Sequence, residues 1–305
     1  MSYASIGGRE IELKNLDKAF FPDADITKGD VVDYYREIAG VMSRHLQDRP
    51  LALQRFPDGI GKDGFFQQDR PDYFPDWIND VALERAGSGD GPVHHVLCNN
   101  TATLVYLANQ GVLTLHGWLS LADRPRHPDR LIFDLDPPDD DFAAVRYAAR
   151  RVGELMEAIG LTPHVMTTGS RGLHVLAPLD AETHFDAVRD LARTMADHLA
   201  EQHPDRLTVE QRKDKRKDRL YLDVMRNAYG QTAVVPYSLR AKPGAPVATP
   251  LDWDELDRSD LGPRSYDLRS VHQRLAQKDD PWKNIRPHAA SARLARERLE
   301  NKLGD

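Results

Sequence analysis

Hydrophobic and polar positions recur along the chain in two periods, which separate predicted helices from predicted strands. Apolar residues spaced three and four apart indicate the buried face of a helix, whereas short apolar runs bounded by Gly, Pro, Asn or Asp indicate strands. Thr27 stands directly before the first helical pattern, where an N-cap residue belongs. In the first part of the chain the predicted elements are a helix over 28–46, a strand over 50–56, loop and short helix over 60–92, a helix over 101–110 and a strand over 112–118.

Between residues 130 and 240, prolines and glycines separate the predicted elements more clearly. Pro137 and Pro138 end one apolar run, and Gly169 and Gly172 lie in the turn between two others. The order β-α-β-β-α-β-β indicates an α+β fold, with a mixed or antiparallel, RRM-like split-βαβ sheet rather than a parallel doubly wound one. The predicted strands are 130–136, 164–167, 173–178, 219–225 and 232–239, the predicted helices are 142–159 and 185–201, and a charged terminal helix covers 285–305.

Composition narrows the class of protein. Hydrophobic residues make up 40% of the 305 positions and charged residues 29%, as in a soluble globular protein. No apolar run approaches the roughly 20 residues that cross a bilayer, and the polar N-terminus has no apolar core of a secretion signal. The single Cys98 excludes an internal disulfide and a Cys-pair zinc site. We therefore expect a cytoplasmic protein with no membrane partner.

The charge distribution qualifies the net charge of −7, which by itself does not favour binding to nucleic acid. Residues 212–219 carry six basic and two acidic side chains. A solvated loop is one interpretation of this run. A basic groove on an acidic protein, which attracts phosphate groups, is the other.

Asp134 and Asp136 are the sharpest chemical signal in the sequence. Side chains alternate along a strand, so both carboxylates project from one face while Phe133 and Leu135 face the core. Two like charges held this close are costly unless a cation lies between them, and hard oxygen ligands suit Mg²⁺ or Mn²⁺. Solvated acids at an exposed strand end are the alternative, because acidic residues continue through 139–141.

Asp223 is the candidate for a third metal-binding acid. It is a lone carboxylate in the otherwise apolar run 220–225, and a buried strand rarely tolerates an unpaired carboxylate. A two-metal site usually takes such an acid from a second element. The alternative is that Asp223 pairs with a nearby arginine, either Arg219 or Arg226.

The sequence from Ser170 to His174 forms the third candidate element. A turn flanked by glycines can direct backbone N–H groups and a hydroxyl at phosphate oxygens, and His174 can donate to the same phosphates. The turn is not a nucleophile elbow, because Thr168 stands where that motif requires glycine. A histidine that packs in the core is the alternative for His174.

Two further segments carry polar groups at strand ends. Arg240 and Lys242 follow the last predicted strand and suit the charge of a triphosphate. His116 and Trp118 end the strand that precedes the acid pair, where they are candidates for the site. The alternative is that both side chains only pack in the core. The chain contains no Walker A, His-Glu-x-x-His or EF-hand pattern.

Taken in order, these motifs resemble the polymerase domain of the bacterial non-homologous end-joining ligase D, which is similar to the archaeo-eukaryotic primase superfamily. The resemblance covers roughly 10 to 280, and its most specific segments are 131–137, 168–175 and 236–246. Three such segments in the same order are far more specific than any one of them.

The resemblance implies a primase-polymerase-like core flanked by helices, with an N-terminal α/β module. It implies a DNA-dependent, two-metal nucleotidyltransferase that adds nucleotides, often ribonucleotides, to a DNA 3′ end at gaps or breaks. Ku and an ATP-dependent DNA ligase are the implied partners. By the same resemblance, two Mn²⁺ or Mg²⁺ ions would be bound by Asp134, Asp136 and Asp223. The incoming triphosphate would be bound by Ser170, Gly172, His174, Arg240 and Lys242, with His116 nearby. Phe65 and Phe66 would lie beside the base or template, and Lys18 and Lys28 would bind a 5′-phosphate.

Departures from the family pattern concern nucleotide and template contacts. Gln54 stands where members often have lysine, and Gln67-Gln68 stand where they have a Glu-Lys pair. The expected organisation is an N-terminal module over 1–120 for 5′-phosphate and template contacts, a catalytic core over 121–285 and a charged helix over 286–305, together one compact domain. Both a stand-alone enzyme and a domain excised from a longer protein agree with the sequence.

Two other functions agree with parts of the pattern. In a phosphohydrolase of the haloacid-dehalogenase kind, Asp134 would be the nucleophile and Asp136 the acid, but Pro138 stands where that family expects Thr or Val. In a non-catalytic module that bridges DNA ends, Lys18, Lys28 and the 212–219 cluster would bind phosphates, and salt would weaken that binding.

Overall fold

The computed structural model describes residues 2–87, 89–137, 139 and 141–304. Pro138 and Asp140, which entered the sequence analysis, lie outside the described residues. The helices are α1 (Lys28–Leu46), α2 (Thr101–Asn109), α3 (Phe142–Ala158), α4 (Phe185–Gln202), α5 (Ser270–Gln277) and α6 (Ala292–Gly304). The strands are β1 (Ser2–Ile6), β2 (Arg9–Leu13), β3 (Ala19–Phe21), β4 (Ile26–Thr27), β5 (Leu51–Arg55), β6 (Phe65–Gln67), β7 (Asp80–Leu83), β8 (Val93–Val96), β9 (Val112–Trp118), β10 (Arg130–Leu135), β11 (His164–Thr167), β12 (Leu173–Pro178), β13 (Leu207–Thr208), β14 (Leu220–Tyr221), β15 (Thr232–Val234) and β16 (Thr249–Leu251).

Contacts divide the chain into two compact units, each assembled from three segments. The first unit consists of Met1–Trp118, Thr232–Thr249 and Tyr266–Asp280, and the second of Leu119–Gln231, Pro250–Ser265 and Pro281–Asp305. The functional modules expected over 1–120 and 121–285 stay a prediction. Within the described ranges, no helix is both long enough and apolar enough to cross a membrane.

The first unit is built on a four-stranded sheet in the order β15-β9-β5-β6, with helices α1 and α2 in the adjoining hydrophobic core. The helix α1 begins at Lys28, and its start has a local cause. The Thr27 side chain accepts a hydrogen bond from the Asp30 N–H, and the Asp30 carboxylate accepts one from the Thr27 N–H. This capping box satisfies two backbone donors that the helix leaves unpaired, so the predicted N-cap is confirmed.

The second unit is built on a four-stranded sheet in the order β10-β12-β11-β16, and α3 and α4 contact its strands. Strand β12 runs antiparallel to both β10 and β11, so α3 connects two strands with a third between them. This is the split-βαβ arrangement that the element order predicts. The predicted α+β class is therefore confirmed.

The strand predicted over 219–225 is wrong. Only Leu220–Tyr221 is a strand; an isolated bridge at Asp223 and a 3₁₀ turn over Met225–Asn227 follow. Local side-chain bonds explain the break, because Asp223 Oδ1 accepts from the Met225 N–H at 2.8 Å and so competes with a continued ladder. Asp223 is therefore not a lone acid within a long apolar strand.

Two other segments also differ from the sequence prediction. The strand predicted over 232–239 ends at Val234, because Pro236 has no N–H for the ladder and Tyr237 adopts φ 66°, a left-handed conformation. The segment 60–92 contains no helix within its described residues; it contributes β6 and β7. These strands pair with β5 and β8, partners that periodicity within the segment does not reveal.

A buried polar network holds the segment that follows β15. Asp280 is 6% exposed; its Oδ2 lies 3.0 Å from His45 Nε2, and its Oδ1 accepts from the Tyr237 hydroxyl at 2.9 Å. The Tyr34 hydroxyl donates to the Tyr237 carbonyl at 2.7 Å. Burial and the Asp280 charge raise the pKa of Tyr237, so its hydroxyl stays a donor. These bonds compensate the left-handed backbone at Tyr237, which leads directly into Arg240.

We expect Asp280→Ala to lower the unfolding free energy of this unit by about 2–4 kcal/mol, because it removes a buried carboxylate that bonds both the Tyr237 hydroxyl and the His45 ring. Urea titration measures the change. The control Asp33→Ala removes an exposed acid of the same unit that pairs with Arg36, and should cost less than about 0.5 kcal/mol. Equal effects of the two changes would show that the network contributes little.

Candidate active site

The backbone at Asp134 pairs with two other segments of the chain, one on each side of strand β10. In the register of β10 with β12 it lies opposite His174, and an isolated antiparallel bridge joins it to Asp223, with Asp134 N–H to Asp223 C=O at 2.9 Å. Residues directly opposite each other in antiparallel pairs present their side chains on the same face. The backbone therefore brings these three side chains together, although they lie far apart in the sequence.

The Asp134 carboxylate is half-enclosed by basic groups. Its Oδ1 lies 3.3 Å from His174 Nε2, and its Oδ2 lies 3.3 Å from Arg226 Nε. Burial acts to raise the pKa of Asp134, but the imidazole and the guanidinium outweigh it and hold the pKa well below its usual range. Asp134 is therefore a carboxylate at neutral pH, with basic partners on both oxygens.

Asp223 experiences the opposite shift. Burial raises its pKa, and the charge of Asp134 raises it further, while the Met225 N–H bond opposes both. Two neighbouring carboxylates with like charges are stabilised by a cation between them. The pair thus has the electrostatics of a divalent-cation site.

Asp136 follows the last residue of β10 and lies against the turn 168–172. A Cβ atom on Gly172 would collide with the Leu135 carbonyl and would come within 2.9 Å of Asp136 Oδ1. Only glycine permits this approach of the turn to the acid-bearing strand. Gly172 thus has a structural role at the site.

One cavity of about 340 Å³ collects the three acids. Basic side chains of the 212–219 segment, Lys213 and Arg216, also line it, so part of this segment belongs to the cavity wall. The cavity is lined by Asp134, Asp136, Pro137, Arg171, Lys213, Arg216, Asp218, Tyr221 and Asp223. A wall with both acids and basic groups suits an anionic substrate that binds through cations.

The described carboxylates of the cavity suit a metal ion by the chemistry of their oxygen atoms, but they do not form a complete ligand set. Among the described residues, no group of three or more His, Cys, Asp or Glu side chains is close enough to hold one ion. The three carboxylates nevertheless share the cavity, and hard oxygen donors are what Mg²⁺ and Mn²⁺ take. The acids fit such ions as partial ligand sets, and the assignment stays a prediction.

The turn between β11 and β12 is closed by its own first residue. The Thr168 Oγ1 accepts from the N–H groups of Ser170 and Gly172, both at 3.3 Å, and donates to the Gly172 carbonyl at 3.1 Å. These two backbone N–H groups of the turn are thus engaged within the turn itself. The Ser170 hydroxyl and His174 remain the polar side chains of the predicted phosphate contact.

In the first unit, the sheet register separates the two aromatic candidates. Phe66 lies opposite Gln54, which shares a face with Ala52, and Ala52 lies opposite His116. The rings of Phe66 and His116 are 5.4 Å apart. Phe65 lies on the other face, where the Arg55 guanidinium stands 5.4 Å from its ring centre. The structure therefore places Phe66, but not Phe65, beside His116.

Arg240 and Lys242 lie in the loop after Tyr237. The Arg240 N–H donates to the Pro246 carbonyl at 2.8 Å, and the Lys242 N–H donates to the Arg240 carbonyl at 2.8 Å. Arg240 is half-buried and Lys242 is exposed. The backbone of this loop is therefore held by its own hydrogen bonds, and the loop presents two cationic side chains close together in sequence.

Lys18 and Lys28 lie side by side in the first unit, because the Lys28 N–H donates to the Lys18 carbonyl at 2.8 Å. The Lys28 side chain is buried, with Nζ donating to the Lys14 carbonyl at 2.6 Å. Burial and the charges of Lys18 and Lys14 lower the pKa of Lys28 to about 8. Lys18 also contacts Asp58 at 2.5 Å. Concentrated positive charge of this kind suits a phosphate.

Sequence reasoning missed several residues of the site. Arg226 was considered as a partner of Asp223, whereas it pairs with Asp134. Arg171 lay within the quoted turn, yet its place in the cavity wall was not predicted. The Asn227 side chain bonds both to the Ile132 N–H, at 2.9 Å, and to the Ile132 carbonyl, at 2.7 Å. Nothing local in the sequence indicates this bond to β10.

Comparisons with known proteins identify the family of the chain. Residues 27–282 match the sequence model of the family described as LigD, primase-polymerase domain. The bifunctional non-homologous end joining protein LigD of Bacillus subtilis is 30% identical over 90% of this chain and 44% of its own length. The multifunctional non-homologous end joining DNA repair protein LigD of Mycobacterium tuberculosis H37Rv is 32% identical over 96% of this chain and 39% of its own. The chain thus spans less than half the length of these relatives.

A solved structure shares the fold. The polymerase domain of Mycobacterium tuberculosis ligase D, in complex with DNA, superposes with a TM-score of 0.84 at 30% identity, and the match covers 92% of this chain and 99% of that one. The family match spans most of the chain, the structural match spans nearly all of the domain, and the resemblance read from the motifs is confirmed. The chain belongs to the LigD primase-polymerase domain family.

Proposed function

We propose that this chain is a DNA-dependent nucleotidyltransferase that fills gaps and extends DNA ends in non-homologous end joining. The observation that carries the proposal is that one cavity is lined by Asp134, Asp136 and Asp223 together with Lys213 and Arg216. The related polymerase domain from Mycobacterium tuberculosis was solved in complex with DNA, and the curated relatives are named for end joining. Ku and an ATP-dependent ligase are the partners expected from the same resemblance.

The three acids are the proposed ligands of two Mn²⁺ or Mg²⁺ ions. Such ions, when bound, activate a 3′-hydroxyl and stabilise the leaving pyrophosphate. Asp134 is kept ionised by His174 and Arg226, so it is ready to bind a cation at neutral pH. His174, which is 5% exposed, also fixes the orientation of the carboxylate.

The remaining predicted residues have separate proposed roles. In the second unit, Ser170 and His174 are the proposed nucleotide contacts, and Gly172, whose N–H is engaged by Thr168, lets the turn approach the acids. In the first unit, the proposed nucleotide contacts are Arg240, Lys242 and His116, the proposed 5′-phosphate contacts are Lys18 and Lys28, and the proposed contacts with base or template are Phe65 and Phe66. Arg240 has the fork geometry that suits phosphate oxygens.

Primer extension on a 5′-phosphorylated gapped DNA, with Mn²⁺ and separate ribo- and deoxynucleotide pools, tests the proposal. We expect Asp134→Ala and Asp136→Ala each to reduce extension by at least about a hundredfold, because even outer-shell partners of metal ligands are worth 10–100-fold. Asp190→Ala, an exposed acid of the same unit, is the control. Tight DNA binding without extension by the parent would instead identify a non-catalytic end-binding module.

Lys28 generates a prediction about pH. Its lowered pKa means that the ammonium is charged below about pH 8 and neutral above it, so the preference for 5′-phosphorylated over 5′-hydroxyl gaps should decline between pH 7 and 9. Bound phosphate shifts this midpoint upward, since it favours the charged form. Lys28→Ala should weaken the preference and remove its change between pH 7 and 9, while sparing extension of simple primers.

Lys302→Ala, an exposed lysine of α6, is the matched control for Lys28. A parent preference that does not change between pH 7 and 9, or a Lys28→Ala variant that keeps it, would remove Lys28 from the phosphate site.

The contact between Phe66 and His116 predicts a coupled effect on nucleotide binding. Phe66→Ala and His116→Ala should each raise the KM for nucleotide, and the double variant should be non-additive by about 0.5–1.5 kcal/mol, as expected of touching residues. Phe65→Ala, on the opposite face, should combine additively with His116→Ala. Steady-state KM values from the six proteins of the two cycles decide the matter; equal coupling for both phenylalanines would contradict the face assignment.

A further inference from the structure

Arg226 follows Asp223 by three residues and has a fixed backbone. On one side, the Asp223 carboxylate accepts from the Met225 N–H at 2.8 Å. On the other side, the buried Asn227 side chain binds the backbone of Ile132 in β10 through two hydrogen bonds, at 2.9 and 2.7 Å. Because Ile132 precedes Asp134 by two residues in the same strand, these bonds fix the Arg226 backbone relative to that carboxylate.

The guanidinium end of Arg226 is less constrained than its backbone. The Arg226 side chain is 44% exposed, whereas Asp134 is 15% exposed and His174 is 5% exposed. Ion pairs with a solvent-exposed partner contribute little net stability, because water solvates the released charge. Asp134 therefore has one permanent partner, His174 on Oδ1, and one exchangeable partner, Arg226 on Oδ2.

A guanidinium and a divalent cation cannot share one carboxylate oxygen without repulsion. The Nε of Arg226 lies 3.3 Å from Asp134 Oδ2, and a hard cation such as Mg²⁺ binds an oxygen ligand at roughly 2.0–2.1 Å. Two positive groups that close repel each other strongly in a half-buried site. Binding of the cation thus requires the guanidinium to withdraw toward solvent, which its exposure permits.

We propose that Arg226 exchanges with a divalent cation at Asp134 and thereby sets the affinity of the site for metal. This inference rests on the proposed function, since it takes Asp134 to be a metal ligand. Arg226 is a positioning residue in this scheme: it stabilises the acid pair before the cation arrives and leaves when the cation binds. By linkage, the cation weakens the Arg226–Asp134 pair by the same factor by which that pair weakens cation binding.

The exchange predicts two effects of Arg226→Gln. Mn²⁺ should bind the variant at least about fivefold more tightly than the parent, the lower end of ordinary coupling between two binding events. In EDTA the variant should have a Tm only slightly below that of the parent, because Asp134 loses an exposed basic partner, and Mn²⁺ should raise the Tm of the variant by more than it raises that of the parent. Neither readout depends on DNA, nucleotide or activity.

Mn²⁺ titrations of the whole chain, followed by electron paramagnetic resonance of the free ion and by calorimetry, measure the affinities. Arg226→Lys keeps the charge and should stay near the parent. Arg293→Gln removes an exposed arginine of α6 that pairs with Glu297, and should change nothing. Asp134→Asn identifies the binding that depends on the acid site.

The outcomes separate the two proposals. The exchange is supported if Mn²⁺ binds Arg226→Gln more tightly than the parent and this binding is lost in the double variant Arg226→Gln/Asp134→Asn. Equal binding to parent and Arg226→Gln, with both sensitive to Asp134→Asn, overturns the role of Arg226 and leaves the metal site in place. Mn²⁺ binding that does not respond to Asp134→Asn, or no binding at all, overturns the metal site and the exchange together.

Discussion

The antiparallel pairing of Asp134 with His174 on one side and Asp223 on the other determines most of what the second unit can do chemically. The pairing brings two carboxylates and an imidazole onto one face without any motif local in sequence. Its geometry depends on a small residue and a polar clamp nearby. Gly172 lets the turn approach Leu135, and Asn227 binds the edge of β10 through the backbone of Ile132.

Bringing like charges together has an electrostatic cost, and the site compensates it with basic groups. The pKa of Asp134 is held low by His174 and Arg226, while the pKa of Asp223 is raised by burial and by Asp134. The first unit shows the complementary case at Lys28, where burial and two neighbouring lysines lower the pKa to about 8. Asp223 and Lys28 thus both carry a charge that is costly in the free protein, and each suits a ligand of opposite charge.

The family match and the site geometry each support the proposed nucleotidyltransferase function, and the two lines of support are independent. Sequence similarity to LigD proteins and a TM-score of 0.84 to a ligase D polymerase domain establish the family. The cavity with its three acids and basic wall is a property of this chain's own residues. The departures at Gln54 and Gln67 belong to the sheet of the first unit. There Gln54 shares a face with Phe66, and Gln67 accepts a hydrogen bond from Arg55.

The sequence alone determined the long helices, the strands of the β10–β12 hairpin region and the identity of the acids, because periodicity and turn residues act over a few positions. It predicted a continuous strand over 219–225 around Asp223, since the break after Tyr221 comes from a side-chain bond to the Met225 N–H that the apolar pattern does not reveal. It treated Phe65 and Phe66 alike, although pairing with β5 puts them on opposite faces. Only the structure reveals that the Thr168 side chain folds back on its own turn and engages the N–H groups there. The Arg226–Asp134 contact was decided by tertiary structure alone, because the two residues are distant in sequence.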